Sequence, residues 1–379
     1  MKILYVATVG NHIGQFHMSF ISELQRAGHT VDAAFKDNSD DIKGLDLSLI
    51  NKIYDVSFER TPFKFKNINA FFDLKKIINE GDYDIIHCHT PMGAVITRLA
   101  ALRARKRGTK VLYTAHGFHF YKGAPKKNWL LFYPVEKFLA NFTDGLILIN
   151  NEDYNLAVNK KFNCKNIFKV NGVGVDISRF SPITEAEKSQ LRKEYNYSQD
   201  EFIMLYPAEL SFRKNQDMLF ETVAVLKSRG MKIRLLLPGP QTLFEKQKKL
   251  VNSLKIDDSV DFLGYRSDIP QLLSLCDIAV SSSRQEGLPV NIMEAMAMGK
   301  AIVATNVRGN ADLVEDNKGG YLIELNDSKT MAEKIIHLYN NSNFIVQMGE
   351  YNLEAVKKYS IDIVNEDMKK IYSKFSVKF

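Results

Sequence analysis

Two α/β domains in series, each a doubly wound parallel sheet covered by helices, are what this sequence predicts. Three observations carry that expectation. Short apolar runs alternate with amphipathic stretches along the whole chain, the pattern of βα units. The pattern comes in two sets of similar size, separated by the glycine-rich turn Asn171-Gly172-Val173-Gly174. The length of 379 residues suits two or three domains of roughly 100–200 residues each.

In the first half, strands are expected at Lys2–Val9, Thr30–Phe35, Ile85–His89, Lys110–Thr114, Leu146–Ile149 and Ile167–Val170. Helices fall between them: Phe16–Ala27, stopped by Gly28 as a C-terminal cap, and residues 70–80 and 93–107. The second set has strands at Phe202–Leu205, Lys232–Leu237, Val260–Phe262, Ile278–Ser281, Ala301–Ala304 and Tyr321–Ile323. Polar residues 184–201 read as a surface helix and loop opening the second domain. The expected boundaries are 1–175 and 176–359, with a last helix, about 360–379, that can pack back on the first domain. Such sheets bind ligands at the carboxyl ends of their strands, so two of them facing each other would enclose an interdomain cleft suited to two substrates.

Hydrophobic content of 45% and charged content of 25% are those of a soluble globular protein. The apolar start, Met1 to Val9, lacks a small-residue cleavage site, which argues against a secretory signal. No apolar stretch approaches the roughly 20 residues that span a bilayer. Cys88, Cys164 and Cys276 are far apart, which indicates neither a disulfide framework nor a zinc site. A cytoplasmic location is expected.

The net charge of +7 is unevenly placed. From Arg98 to Lys137 the chain has Arg98, Arg103, Arg105, Lys106, Arg107, Lys110, Lys122, Lys126, Lys127 and Lys137 against the single acid Glu136. Such a field attracts anionic partners: phosphorylated ligands, nucleic acid or an acidic membrane surface. Trp129 to Leu139 beside it is apolar and aromatic. That segment reads first as a core helix and second as an interfacial membrane face.

The most specific chemical signal is Ser281-Ser282-Ser283-Arg284-Gln285-Glu286-Gly287-Leu288-Pro289-Val290-Asn291-Ile292-Met293-Glu294. A strand ends at Ser281, a polar loop follows, and Pro289 marks a helix start. Free amides there, with the flexible Gly287, suit a diphosphate. Glu286 in the loop and Glu294 on the helix can reach different parts of one extended ligand, such as sugar and ribose hydroxyls. Either glutamate alone would be explained by a capped, solvated helix; the whole string is more specific. Arg213-Lys214-Asn215, at another strand-to-helix turn, offers a second anion site. A basic residue there opposes the helix dipole, which favours a functional reading.

Histidines gather at strand ends. His87, His89, His116 and His119 lie at predicted carboxyl ends, and His12 and His17 on the first βα loop, so six of eight histidines point toward the expected cleft. No carboxylate or cysteine partners show metal-ligand spacing, and no metal is expected. Asp82-Tyr83-Asp84 precedes its strand and reads as a loop with a strand entry. Gly172-Val173-Gly174 lacks the third glycine of a dinucleotide fingerprint.

The strings Ile86-His87-Cys88-His89-Thr90-Pro91, Tyr113 to Pro125, Arg213-Lys214-Asn215 and Glu286…Glu294 together resemble the family 4 retaining glycosyltransferases of the GT-B fold over essentially the whole chain. The histidine-rich strings point to bacterial enzymes of exopolysaccharide and capsule assembly. That resemblance implies catalytic roles for Glu286, on donor-sugar hydroxyls, and His116, beside the reacting sugar. It implies that Glu294 holds the ribose, and that the Gly287 and Leu288 amides with Lys214 hold the diphosphate. The Tyr265-Arg266 turn would meet the base through its backbone, and Gly14 would approach the phosphates from the first domain. Acceptor-side candidates are His12, His17, His89, His119 and Lys122. The family commonly has Gly-Arg where Ala208-Glu209 stands here, and Arg213 is the candidate replacement for the missing cation.

The implied reaction moves a hexosyl unit, N-acetylhexosamine by analogy, from a UDP-sugar to a lipid-linked or oligosaccharide acceptor. It proceeds with retention and without a cofactor or metal. A polyprenyl diphosphate-linked acceptor would suit the basic residues 98–137 and a peripheral place on the inner face of the cell membrane. The alternatives are a UDP-sugar epimerase of the same fold and a non-catalytic subunit of a polysaccharide-assembly complex. The basic stretch contains no nucleic-acid recognition module, which sets that partner aside.

Overall fold

A computed structural model describes residues 1–37 and 44–379. Among the described residues thirteen strands form two sheets. The first holds β1 (Lys2–Val9), β2 (Thr30–Lys36), β3 (Lys52–Asp55), β4 (Ile85–His89), β5 (Lys110–Ala115), β6 (Gly145–Leu148) and β7 (Ile167–Lys169) in the order β3-β2-β1-β4-β5-β6-β7. The second holds β8 (Phe202–Leu205), β9 (Ile233–Pro238), β10 (Val260–Gly264), β11 (Ile278–Ser281), β12 (Ala301–Thr305) and β13 (Gly320–Ile323) in the order β10-β9-β8-β11-β12-β13. Every recorded strand pair is parallel. Both are Rossmann-like sheets, and strand order reverses between β1 and β4 in one and between β8 and β11 in the other. A crevice opens at such a reversal because the flanking connections leave toward opposite faces of the sheet.

The chain divides into two compact units, Met1–Gly174 with Ile361–Phe379, and Val175–Ser360. Gly174, at φ +82°, lets the chain pass close to its return point: a Cβ there would sit 2.7 Å from Ile361 Cα. Val175 and Ser360 form a parallel bridge one residue further on. The closing helix, Ile361–Ser373, packs on the first unit. Asn365 Nδ2 donates to Ser19 Oγ at 2.8 Å, and the Tyr372 hydroxyl lies 2.7 Å from His87 Nδ1 and 3.1 Å from the Tyr5 hydroxyl.

Each unit buries its own core. In the first, Leu4, Val6, Ile86 and Val111 of the sheet meet Leu74, Ile78 and Ala94 of the covering helices. In the second, Met204, Leu235, Val280 and Val303 meet Leu219, Val223 and Ile335. The inner strands, such as β1, β4, β5, β8, β11 and β12, are buried on both faces, so their sequences are near-continuous apolar runs.

Several local expectations change. β3 was absent from the predicted strands; it is a four-residue edge strand whose residues are half-buried or exposed, so it lacks an apolar run. The helix expected at Phe16–Ala27 starts earlier and breaks into Gly10–Phe16 and Met18–Arg26, with His17 at the junction. Gly14, His12 and His17 therefore belong to helical segments and their junction rather than to a loop. At Gly14 a Cβ would lie 2.7 Å from Leu45 Cδ1, so packing alone accounts for a small residue there. Residues 93–107 likewise divide between Pro91–Ala100 and Leu102–Lys106. Asp84 ends up as a hydrogen-bond acceptor for the Lys2 amide at 2.7 Å, next to the entry of β4.

The helix Lys126–Leu139 is not a core helix. Trp129, Phe132 and Tyr133 pack inward, while Leu130 is 76% and Phe138 60% exposed, with Leu131 and Val135 also outward. The basic stretch is also thinner than the sequence suggests. Arg98 is fully buried, paired with Glu136 at 2.8 Å and laid over the Tyr113 ring, and Arg105 binds Asp144 through two nitrogens at 3.0 and 3.1 Å. Among the described residues no helix is long and apolar enough to cross a membrane.

Candidate functional site

The strand-order reversal of the second unit brings two turns together. Arg213 and Lys214 follow β8, Glu286 follows β11, and β8 pairs directly with β11. Asn215, at φ +55°, turns the chain from Lys214 into the helix Gln216–Ser228. Lys214 Nζ lies 2.5 Å from Glu286 Oε1, and Arg213 Nη1 3.3 Å from Oε2. Ser283 Oγ also donates to Oε1 at 2.5 Å and is itself 2.6 Å from the Tyr206 hydroxyl.

Burial by itself would push the Glu286 carboxyl pKa up, but the charges of Lys214 and Arg213 outweigh it and hold it below the usual range. Burial likewise works against the Lys214 ammonium, and the Glu286 carboxylate more than offsets that, raising its pKa. Both groups are therefore ionised at neutral pH. Lys214 has three donors, and Arg213 keeps half of its side chain exposed, so both retain capacity for an incoming anion.

The loop after Glu286 is shaped by its neighbours. Arg308 Nε donates to the Glu286 carbonyl at 2.9 Å, and Gly309, at φ +83°, comes so close to Gly287 that a Cβ would lie 2.6 Å from its carbonyl oxygen. Asn291 Nδ2 donates to the Pro207 carbonyl at 2.9 Å and ties the helix Val290–Ala297 to the β8 loop. Arg308 and Tyr206 were missed by motif reasoning, and Ser283 and Asn291 stand in the cassette string without a role of their own. The one usable signal was Val307-Arg308-Gly309-Asn310, another strand-to-helix turn following β12.

Leu288 is buried in the loop, and Glu294 sits on the helix Val290–Ala297 with its pKa raised to about 7 by burial, partly offset by Arg179. Arg266 stands apart from Glu286: it follows β10, two strands from β8. Its guanidinium is held by Asp268 at 2.8 and 2.5 Å, while the neighbouring Tyr265 side chain is exposed. The Glu209 carboxylate accepts a hydrogen bond from Thr242 Oγ1 at 2.7 Å, so the position of the absent family arginine is occupied by a local tie.

In the first unit the reversal between β1 and β4 collects His12, His17, His89 and His116. His12 Nε2 lies 3.1 Å from His116 Nε2 and 3.3 Å from His17 Nε2, and His89 Nδ1 lies 3.3 Å from His116 Nε2. His87 is turned to Tyr372 and Thr114 instead. His119 and Lys122 are elsewhere. The His119 ring stacks near Phe132, 4.8 Å between centroids, and lines an apolar pocket of about 850 Å³ with Phe63, Met92, Phe118, Leu131 and Val135. Lys122 is exposed, and its amide donates to Glu152 Oε1 at 2.5 Å.

Two parallel Rossmann-like sheets, each with polar side chains gathered at its reversal, are the architecture of the GT-B type, and family comparison identifies a glycosyltransferase. Residues 2–151 match the glycosyl transferase 4-like model, and residues 187–355 the model of glycosyl transferases group 1. EpsD of Bacillus subtilis (strain 168), a glycosyltransferase by assignment only, is 39% identical over 374 residues, covering 99% of this chain and 97% of its own. The N,N'-diacetylbacillosaminyl-diphospho-undecaprenol alpha-1,3-N-acetylgalactosaminyltransferase of Campylobacter jejuni is 26% identical over 381 residues, 99% of both chains. In fold, the chain superposes on Anabaena HepE, solved with UDP and glucose, at a TM-score of 0.81 and 22% identity, covering 99% of this chain and 100% of that one. The chain belongs to the family 4 glycosyltransferases and is similar to EpsD.

Proposed function

We propose that this glycosyltransferase moves a hexosyl unit, N-acetylhexosamine by preference, from a UDP-sugar to a lipid-linked acceptor with retention of configuration, in exopolysaccharide or capsule assembly. The observation that carries the reading is the buried Glu286 carboxylate clamped by Lys214 and Arg213 at a sheet reversal, one turn ahead of a helix start. A sugar diphosphate nucleoside seated there would find a carboxylate for sugar hydroxyls, two cations and the Gly287 and Leu288 amides for the diphosphate, and Glu294 for the ribose. Lys214 and Arg213 would take up the charge of the departing UDP, so no metal is needed on the diphosphate. His116 is proposed to lie beside the reacting sugar.

Glu286 is engaged by two cations and Ser283, which makes it a poor nucleophile. Attack from the face of the leaving group, with a departing phosphate oxygen taking the acceptor proton, fits that arrangement. The Campylobacter relative forms an α linkage by name, the stereochemistry that retention gives from an α-linked donor. Its acceptor is a diphospho-undecaprenol-linked sugar, and the 850 Å³ apolar pocket beside the outward face of Lys126–Leu139 supports an acceptor of that chemistry here.

The test is to incubate the full chain with UDP-N-acetylhexosamines and a short polyprenyl diphosphate-linked sugar. An α-linked product is expected, with turnover lowered about 10²-fold or more in Glu286→Gln. A β-linked product, epimerised donor in the absence of acceptor, or full activity of Glu286→Gln would each overturn the reading.

A further inference from the structure

The histidines at the β1/β4 reversal come from three separate segments: residues 10–17 after β1, the end of β4, and the residue after β5. One ring nitrogen of each of His12, His17, His89 and His116 lies within 4.8 Å of the other three. Three of the separations are 3.1, 3.3 and 3.3 Å. Nitrogens bonded at about 2.0–2.1 Å to one tetrahedral ion stand about 3.3 Å from each other, and those three of the six separations already have that spacing.

Hydrogen bonds serve these contacts poorly. A neutral imidazole nitrogen carries one proton or one lone pair, not both. His12 Nε2 is approached by two other ring nitrogens, and so is His116 Nε2, so a single proton or lone pair would have to be shared twice. The other nitrogen of His89, Nε2, is buried without a hydrogen-bond partner among the described residues; with the ring's proton there, Nδ1 keeps the lone pair that faces His116. A void of about 30 Å³ adjoins three of the four rings, His17, His89 and His116, and has room for an ion or a water.

We infer that His12, His17, His89 and His116 form a closed site for one zinc-like divalent transition-metal ion. Four imidazoles leave no open position, so the ion's role is structural: it fastens the broken helix after β1 to the ends of β4 and β5. Coordination through Nε2 would also fix the His116 proton on Nδ1, giving that ring one defined donor. The proposal does not rest on the proposed reaction, because metal uptake is measured without donor or acceptor.

The experiment uses the full chain stripped with a chelator, then titrated with zinc or cobalt(II). One ion per chain is expected, together with the visible spectrum of four-coordinate cobalt and a zinc-dependent rise in Tm. His12→Ala and His89→Ala should each weaken uptake about tenfold or more, while His337→Ala in the other unit leaves it unchanged. His17→Gln, which keeps a hydrogen-bonding side chain, covers the case in which an alanine variant does not fold. Absence of saturable cobalt uptake by the folded chain, or equal uptake by a folded His12→Gln/His116→Gln variant, would overturn the site.

Discussion

Glu286 and Lys214 hold each other ionised in a buried place, and that mutual dependence decides how either responds to mutation. Replacing Lys214 by methionine leaves a buried carboxylate with the Ser283 hydroxyl and, as counter-charge, only the half-exposed Arg213, and a broken buried pair costs about 3–5 kcal/mol. The Lys214→Met/Glu286→Gln double variant should recover most of that stability and none of the activity. Urea denaturation of the two singles and the double measures the coupling; additive losses would show that the pair is not a unit.

Glu294 makes a separate prediction, because its pKa of about 7 lies above the value of 4.5 expected for the unfolded chain. Between those values the folded state holds a proton that the unfolded state has lost, so stability contributed by this group falls as pH rises from 4.5 to 7 and is level beyond. Glu294→Gln should remove that slope, a difference of up to roughly 3 kcal/mol across the window. Stability curves of wild type and variant that run parallel would count against it. If the ionised carboxylate holds the ribose, UDP affinity should rise over the same range, and titration calorimetry at pH 6 and 8 reads that directly.

At the scale of an element, Lys126–Leu139 is the segment whose sequence and structure disagree most. A helix with aromatic rings on one face and leucines on the other has two apolar faces. Only packing shows that Trp129, Phe132 and Tyr133 turn inward and Leu130, Leu131 and Phe138 outward. Exposed leucine and phenylalanine beside Lys126, Lys127 and Lys137 make a face suited to an anionic lipid surface. Leu131→Asp/Phe138→Asp should abolish sedimentation with anionic phospholipid vesicles and leave Tm within a degree or two. Unchanged vesicle binding would show that this helix face does not carry it. Arg98 and Arg105 do not contribute to that face, since both are committed to internal carboxylates.

For the molecule as a whole, acid sensitivity should reside in the first unit. Burial lowers His12 to about 4 and His87 to about 3, and His17, His89 and His116 well below the ordinary value. Once unfolded, all five rings take up protons near pH 6.5, so their contribution to stability is complete above that pH and is lost as the pH falls below it. In metal-free protein, thermal melts between pH 7.5 and 5 should show the Tm falling by several degrees. A level profile would mean that the rings are already charged in the folded state.

The apolar strands, the Glu286 cassette and the Lys214 turn were legible because local physics dictates them. Strands covered on both faces must be continuous apolar runs, and a helix start after a polar loop advertises itself by proline, glycine and free amides. β3 was not legible, since an exposed edge strand has no apolar run. Neither was the burial of Arg98, which depends on Glu136 lying on another helix. The sequence by itself determined the parallel α/β class, the family, and which residue types stand at strand ends. Only the tertiary structure decided that two strand-order reversals bring Lys214 onto Glu286 and four histidine nitrogens to one point. Side chains far apart along the chain meet through strand order, and local patterning carries no record of that order.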